Sequence, residues 1–474
     1  MSLTRGTEAQ PSPNEPIGRA CRDRPWVIAG ALLSVAIGLG VTAHAVFSPA
    51  VIEHYADSPD SVDITRFAQR ATLADVPLWW SGAWIQRTSP YYRPLSSMAF
   101  WAEYLAFGWN FQGHVIISWL VHALVCYLLY RLSLQLLAGP TAPGAAFATL
   151  AVLVFNLRIG PSGPGWTTAP VSYGVVAWWP GQTDQFALLF AIPAIMSFDA
   201  WLTRERPNGL RLACLLWAVS LLFKEMAVSL PLVAGCLVLY REGLQSLRLW
   251  QTCPEEDNCA RRFAPGLMWR VVPLGLVLVA GFLALRHAMV PGAWGPQSHG
   301  VGYFLNKAVW YGAQRAQAIL TSRGLWIAAV ALFVAACVYA YIRLPKRPSG
   351  VWLVLALAAG SGLLAEGLGG NFALITIPRE LGNIGTLALM VLGLVTLLHV
   401  RTGPTWPVLG IVVAIHLPIL HVQGPHYFYW PAALWGVFNA SLLMSVWRRC
   451  SQGTLQWAQG ARAVASEPDP AEHP

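Results

Sequence analysis

Long apolar runs separated by short polar links dominate the pattern along this chain. Crossing a bilayer as a helix takes about 20 apolar residues. Candidate runs lie at Pro25–Val46, Gln112–Leu136, Gly144–Leu157, Asp184–Leu202, Leu210–Phe223, Met226–Tyr240, Val271–Val290, Leu325–Ile342, Val351–Leu368, Leu381–Val400, Pro407–Leu420 and Tyr427–Val446. That makes about twelve, several of them shorter than a usual span. The links gather positive charge: Arg204, Arg206 and Arg211 in one, Arg241, Arg248, Arg261 and Arg262 in a later one, then Arg343, Lys346 and Arg347, and finally Arg448 and Arg449. Cytoplasmic loops carry an excess of Lys and Arg, so these links and both termini are placed inside and the segment 47–111 outside. The same rule decides the region Leu210–Tyr240. As a single helix it would put its two basic flanks on opposite sides, so Lys224 and Glu225 are expected to cap a tight hairpin at the outer face.

The expected fold is therefore an all-α integral membrane protein. A polar cytoplasmic leader occupies 1–24 and a polytopic membrane domain 25–447, with outer loops at 47–111, 158–183 and 291–324. A polar tail at 448–474 reads as disordered and cytoplasmic. The first outer loop is long and rich in aromatic residues (LWWSGAW, then SPYYRPLSSMAFWAEY). Such residues belong at the lipid–water boundary, so interfacial helices are expected there. A second interfacial helix, carrying Asn306, Lys307 and Arg315, is expected in GYFLNKAVWYGAQRAQAIL, just after the outer span end at Arg286 and His287.

Composition sharpens this picture. The chain is 55% hydrophobic and 11% charged, against about 25% charged in an ordinary soluble domain. A soluble fold cannot hide that much apolar surface, whereas a bilayer accepts it. The net charge of +9 comes from arginines clustered between apolar runs, which reads as topology signal and not as nucleic-acid binding. Eight cysteines are scattered, mostly inside spans. Cys253 and Cys259 fall in a loop placed inside, where a disulfide is disfavoured, and no further ligands for a metal lie nearby. Compact loops rich in Ala, Gly and Arg point to a bacterial inner (plasma) membrane.

Candidate chemistry gathers at the outer side. Asp57, Asp60 and Asp63 follow the first span, where a carboxylate can act as general base toward an acceptor hydroxyl; equally, they can be solvated acids starting a short helix. Arg93, after Tyr91 and Tyr92, can grip a phosphate bidentately or snorkel as an interface anchor. Lys224 and Glu225 interrupt apolar sequence, where ionisable groups are costly and usually functional; the alternative is a mutual ion pair holding the hairpin. His114 and His122 lie on nearly one face of a helix, as packed histidines or, for His114, in reach of substrate. Arg379 and Glu380 begin a late span, with Arg379 a further phosphate candidate. Asp199 and Glu366 are intramembrane acids with no evident partner.

Three segments carry a family resemblance. SPYYRPLSSMAFWAEYLAFGWNFQGHVIISWLVHALVCYLLYRL, VVAWWPGQTDQFALLF and LLWAVSLLFKEMAVSLPL resemble, in order and spacing, the Ser-Tyr-Arg-Pro-Leu and His-x7-His segment, the Val-Ala-Trp-x-x-Gly-Arg-x-Asp segment and the Lys-Glu hairpin of the transmembrane and tetratricopeptide-containing O-mannosyltransferases and their bacterial relatives. PRELGNIG, with Arg379, is similar to a later element. The tetratricopeptide repeats are absent. The resemblance implies a GT-C glycosyltransferase fold that takes a sugar from a polyprenyl-phosphate donor to a protein, lipid or glycan acceptor on the outer face. It implies Asp57 as the base, with Asp60 as runner-up, although the family's adjacent acid pair is missing. It implies phosphate or substrate contacts for Arg93, Tyr92, His114, Lys224, Glu225 and Arg379. Where the family tends to carry His-Pro-x-His-x-Glu, this chain has APVSYG: Pro170 and Val171 remain, Ser172 stands for the second His and Gly174 for the acid, which leaves Asp184 as the acid of that region. No dedicated ligand set for a metal is present, and a divalent ion bridging phosphate and carboxylate stays open. Two other classes remain: a catalytically degenerate relative that binds lipid-linked sugar or scaffolds assembly, and a transporter, for which the chain lacks the expected internal repeats.

Overall fold

The structure, a computed structural model, describes residues 15–85, 91–137, 139–157, 171–203, 208–238, 241 and 266–290, with 411, 414–415, 429–438, 440–441 and 444 near the end. The spans expected at Leu325–Ile342, Val351–Leu368 and Leu381–Val400 and the helix expected at 302–320 lie outside these residues, as do Cys253, Cys259, Glu366, Arg379 and the tail 448–474.

Every described element is a helix. In chain order these are α1 (Glu15–Phe47), α2 (Pro49–Ala56), α3 (Pro59–Arg70), α4 (Val76–Trp80), α5 (Pro94–Phe107), α6 (Phe111–Leu137), α7 (Ala142–Leu157), α8 (Val171–Ala177), α9 (Gln182–Leu202) and α10 (Gly209–Phe223). Two more follow, α11 (Glu225–Val238, opening as a 3-10 turn) and α12 (Gly266–Met289). Three segments, Asp23–Phe47, Phe111–Leu137 and Trp179–Leu202, are long and apolar enough to cross a membrane. Their ends, and those of α7, α10 and α11, fall within a few residues of the apolar runs in the sequence. Hydropathy sets those limits, and local chemistry fixes the stops. Gly108 and Gly139, at positive φ, end α5 and α6, and the Gly139 amide donates to the Leu134 carbonyl, as left-handed caps do. Prolines at the first turns of α2, α3, α4 and α5 start those helices, where no amide partner is needed.

Side-chain bonds give the helix directions. The Tyr130 hydroxyl and the Trp119 indole donate to the carbonyls of Val27 and Leu39, so α1 and α6 run antiparallel. Gln182 donates to the His114 carbonyl and Gln135 to Asp199, so α6 and α9 run parallel. The bundle thus has one end at Phe47, Phe111, Gln182 and Phe223, and an opposite end at Asp23, Leu137, Leu202 and Val238. The first is called the upper end below.

Polarity is distributed inside out. On α1, Trp26, Leu32 and Leu33 are exposed while Ser34 and Thr42 are buried, and α12 leaves Leu276 and Val277 exposed. An exposed apolar surface of this kind fits lipid as its surroundings. Helices approach closely through small residues: a Cβ on Gly38 would meet the Cys126 sulfur at 2.6 Å, and one on Gly30 the Tyr130 hydroxyl at 2.7 Å. Van der Waals packing of this type drives helix association in lipid.

The described part of the segment 158–183 is packed. Val171, Ser172, Val175, Val176 and Ala177 of α8 are buried, as are Trp179, Pro180 and Gly181 of the following turn, because this apolar stretch packs against α1, α6 and α7. Residues of the segments 47–111 and 158–183 share one packed unit, with Ile64, Phe100 and Trp179 at its centre.

Candidate functional site

The upper end assembles four charged side chains from three separate segments. Arg93 caps the N-terminus of α5, where Pro94 starts the helix. Asp184 sits in the first turn of α9. Lys224 is the extended residue (φ −158°, ψ 143°) between α10 and α11, and Glu225 opens α11. Extended backbone sends successive side chains to opposite sides, so Lys224 and Glu225 do not pair with each other. The bonds cross instead. The Lys224 ammonium donates to Asp184 Oδ2. Arg93 donates through Nε and Nη2 to the Glu225 carboxylate, at 3.0 Å and 2.7 Å to Oε2.

The group is enclosed. Arg93, Asp184 and Lys224 are 5%, 0% and 3% exposed. The guanidinium carbon lies 4.2 Å and 4.9 Å from the ring centroids of Tyr91 and Trp84, two cation–π contacts that compensate lost hydration. Ser96 donates to the Phe223 carbonyl at 2.8 Å and Trp430 to the Asp184 carbonyl at 3.0 Å, which fixes the backbone around the charges. Arg286 of α12 adds its field at Glu225. Arg93 is therefore not the snorkelling anchor that its neighbouring tyrosines suggested. Its positive charge, and that of Lys224, is matched by a carboxylate, so an anion arriving here competes with Glu225 and Asp184 for the cations.

The remaining candidates are placed as follows. Tyr92 is buried and its hydroxyl donates to the Trp80 carbonyl at 2.9 Å, tying the end of α4 to the start of α5. His114 is buried, with Nδ1 3.3 Å from Glu103 Oε2 and Nε2 3.1 Å from the Gly108 carbonyl, so both nitrogens are engaged within the protein. His122 bonds Tyr429 at 2.7 Å and Asn156 at 2.8 Å, a packed histidine. Asp57 ends α2 and is exposed, and among the described residues its carboxylate has no ion pair. Asp60 stands exposed in the first turn of α3, yet its carboxyl is partly shielded. That loss of hydration, with the nearby Asp63 charge, raises its pKa above the ordinary carboxylate value. Gly174 lies near the Tyr55 hydroxyl, to which a Cβ would come within 3.7 Å. Arg379 lies outside the described residues.

The structure relates the Asp57 region to the charged group only through intermediate contacts. The Trp178 indole donates to the Ser58 hydroxyl at 3.2 Å, and Trp178 precedes Asp184 by six residues, about 10 Å of helical chain. Asp57 is thus at the same end of the bundle, one layer outward.

Sequence reasoning missed Glu103, Gln182 and the partner of Asp199. Asp199 accepts from Arg241 Nη2 at 2.5 Å and from Gln135 at 2.7 Å, a second buried charge cluster at the lower end. The signal was available, since Arg241 is the first basic residue after α11 and Asp199 lies in the last turn of α9. Among the described residues no group of three or more His, Cys, Asp and Glu is arranged to hold a metal ion. No protein-family model, no curated protein and no solved structure matches the chain.

Proposed function

We propose that the chain is a membrane glycosyltransferase of GT-C architecture, with about twelve spans, that moves a sugar from a polyprenyl-phosphate donor to an acceptor at the upper, outer end of the bundle. One observation carries this reading. The three sequence segments that resemble the O-mannosyltransferases contribute Arg93, Asp184 and the Lys224–Glu225 pair, and these meet in one buried charged group. Nothing in their linear spacing requires that meeting. Ionisable groups enclosed among apolar helices are costly to keep and mark function by default.

The chemistry follows from charge. The acceptor hydroxyl loses its proton to Asp57 and attacks the anomeric carbon of the sugar. The bond from that carbon to the phosphate oxygen breaks, and the lipid phosphate leaves with the electron pair. Arg93 and Lys224, with Arg379, stabilise the charge that grows on it. Glu225 and Asp184 hold the two cations in place until the donor arrives.

A second reading has its own support. Among the described residues Asp57 is exposed with no side-chain partner, and Gly174 stands where the resembled family carries an acid, as in a relative that binds lipid-linked sugar without turning it over.

Purified protein in lipid nanodiscs, supplied with radiolabelled polyprenyl-phosphate hexose and peptide, lipid or glycan acceptors, separates the two. Transfer that Asp57→Asn abolishes while donor binding persists supports the enzyme. Binding without transfer, indifferent to Asp57→Asn, supports the silent relative. Neither binding nor transfer sinks both.

A further inference from the structure

Glu103 is a carboxylate that the charged group described above does not include, and it joins three elements. It lies in the third turn of α5 and is 9% exposed. Its Oε2 accepts from the Trp179 indole at 3.0 Å and from Gln182 Nε2 at 3.1 Å, and faces His114 Nδ1 at 3.3 Å. Trp179 and Gln182 open the span that carries Asp184, and His114 belongs to the first turn of α6. At the other end of α5, Arg93 and Ser96 bind Glu225 and the Phe223 carbonyl. α5 is thereby held at two points, one on the α10–α11 turn and one on the start of α9.

Both ring nitrogens of His114 have an oxygen within hydrogen-bond distance. Nε2 faces a backbone carbonyl, which only accepts, so it carries hydrogen. Nδ1 faces a carboxylate oxygen that already accepts two other bonds. An ionised carboxylate accommodates three donors on one oxygen far better than a protonated acid does. Both ring nitrogens thus face acceptor oxygens, the arrangement in which an imidazolium and a carboxylate pair. The His114 ring stacks on Trp179 with centroids 3.9 Å apart and planes 20° apart. Phe107 and Phe111 flank the ring, and Glu103 is the titratable group in contact with it among the described residues.

We propose that Glu103 is a positioning residue: paired as a carboxylate with a His114 imidazolium, it locks the first turn of α9, and with it Asp184, against the helix that presents Arg93. Its importance for transfer rests on the glycosyltransferase reading; the protonated pair itself does not.

Solid-state 15N NMR of histidine-labelled protein in lipid at pH 7, with the His114 signal assigned by its loss in His114→Gln, tests the pair directly. The expected wild-type spectrum shows His114 protonated on both nitrogens. Glu103→Gln, which keeps an acceptor for Trp179 and Gln182 and removes the charge, is expected to convert that signal to a neutral imidazole. A neutral His114 in the wild type, or an imidazolium unchanged in Glu103→Gln, overturns the proposal. In the nanodisc assay Glu103→Gln is expected to lower kcat about tenfold to a hundredfold with little change in donor KM, the signature of misplaced reacting groups. Unaltered kcat in Glu103→Gln overturns the positioning role. Absence of wild-type transfer, with the NMR result as expected, discards the glycosyltransferase reading and leaves the pair.

Discussion

Lys224 shows what a single position decides. Its neighbour in sequence is an acid, yet its partner is Asp184, 40 residues away, because extended backbone at Lys224 turns the two side chains apart. The linear pattern announced a charged pair in apolar surroundings but not its connections; only the fold supplies partners across such separations. Both charges are enclosed, so removing one strands the other. Asp184→Asn or Lys224→Met alone is expected to destabilise by about 3–5 kcal/mol, whereas the double substitution costs much less than the sum. Reversible unfolding in mixed micelles measures the cycle, and strict additivity would rule out the pair. Asp60 offers the opposite case at the surface. Its folded pKa is raised by shielding and by Asp63, so the folded state holds that proton more tightly than the unfolded one. Stability is then lost as pH rises from the unfolded value through the folded one. Asp60→Asn is expected to raise the melting temperature slightly at pH 7 and to leave it unchanged well below the carboxylate range. A substitution that lowers it at pH 7 contradicts this sign.

At the scale of elements, the limits of α6, α7, α9, α10 and α11 were legible because an apolar run has to end where the chain leaves apolar surroundings. The internal helices of the first outer loop were less so. α3 is amphipathic, with Ile64, Thr65 and Ala68 buried and Asp60, Arg66 and Arg70 exposed, yet what it packs on comes from distant segments. α8 falls within an outer loop of the sequence pattern because seven residues are too few for a span and carry no periodicity that tells burial in protein from burial in lipid. Small residues at helix contacts were also unreadable, since a glycine is equally at home on a lipid face. The structure distinguishes two of them. A Cβ on Gly436 would collide with the Ala151 carbonyl oxygen of α7, while one on Gly40 meets nothing within 4 Å. Gly436→Ala is expected to lose about 1–3 kcal/mol through overpacking. Gly40→Ala is expected to stay within about 1 kcal/mol of the parent, on the stabilising side. Paired melting curves in one detergent check the contrast, which fails if both variants behave alike.

For the molecule as a whole, the two buried charge clusters sit at opposite ends of the bundle. Arg93, Asp184, Lys224 and Glu225 join the ends of α5, α9, α10 and α11 above; Asp199, Arg241 and Gln135 join α9, the chain beyond α11 and α6 below. Helix directions alone require this separation, because α1 and α10 rise where α6 and α9 descend. On the positive-inside rule we propose that the lower end, where Arg211 stands in the first turn of α10, faces the cytoplasm, which would put Asp60 outside and Asp23 inside. Single cysteines placed at these two positions, in a background freed of native cysteines, check the assignment. A membrane-impermeant maleimide is expected to label Asp60→Cys in intact cells and Asp23→Cys only after lysis. Labelling in the reverse order would put the charged site on the cytoplasmic side, where a donor presented at the outer face has no access to it. Labelling of both in intact cells would mean that α1 does not cross the membrane.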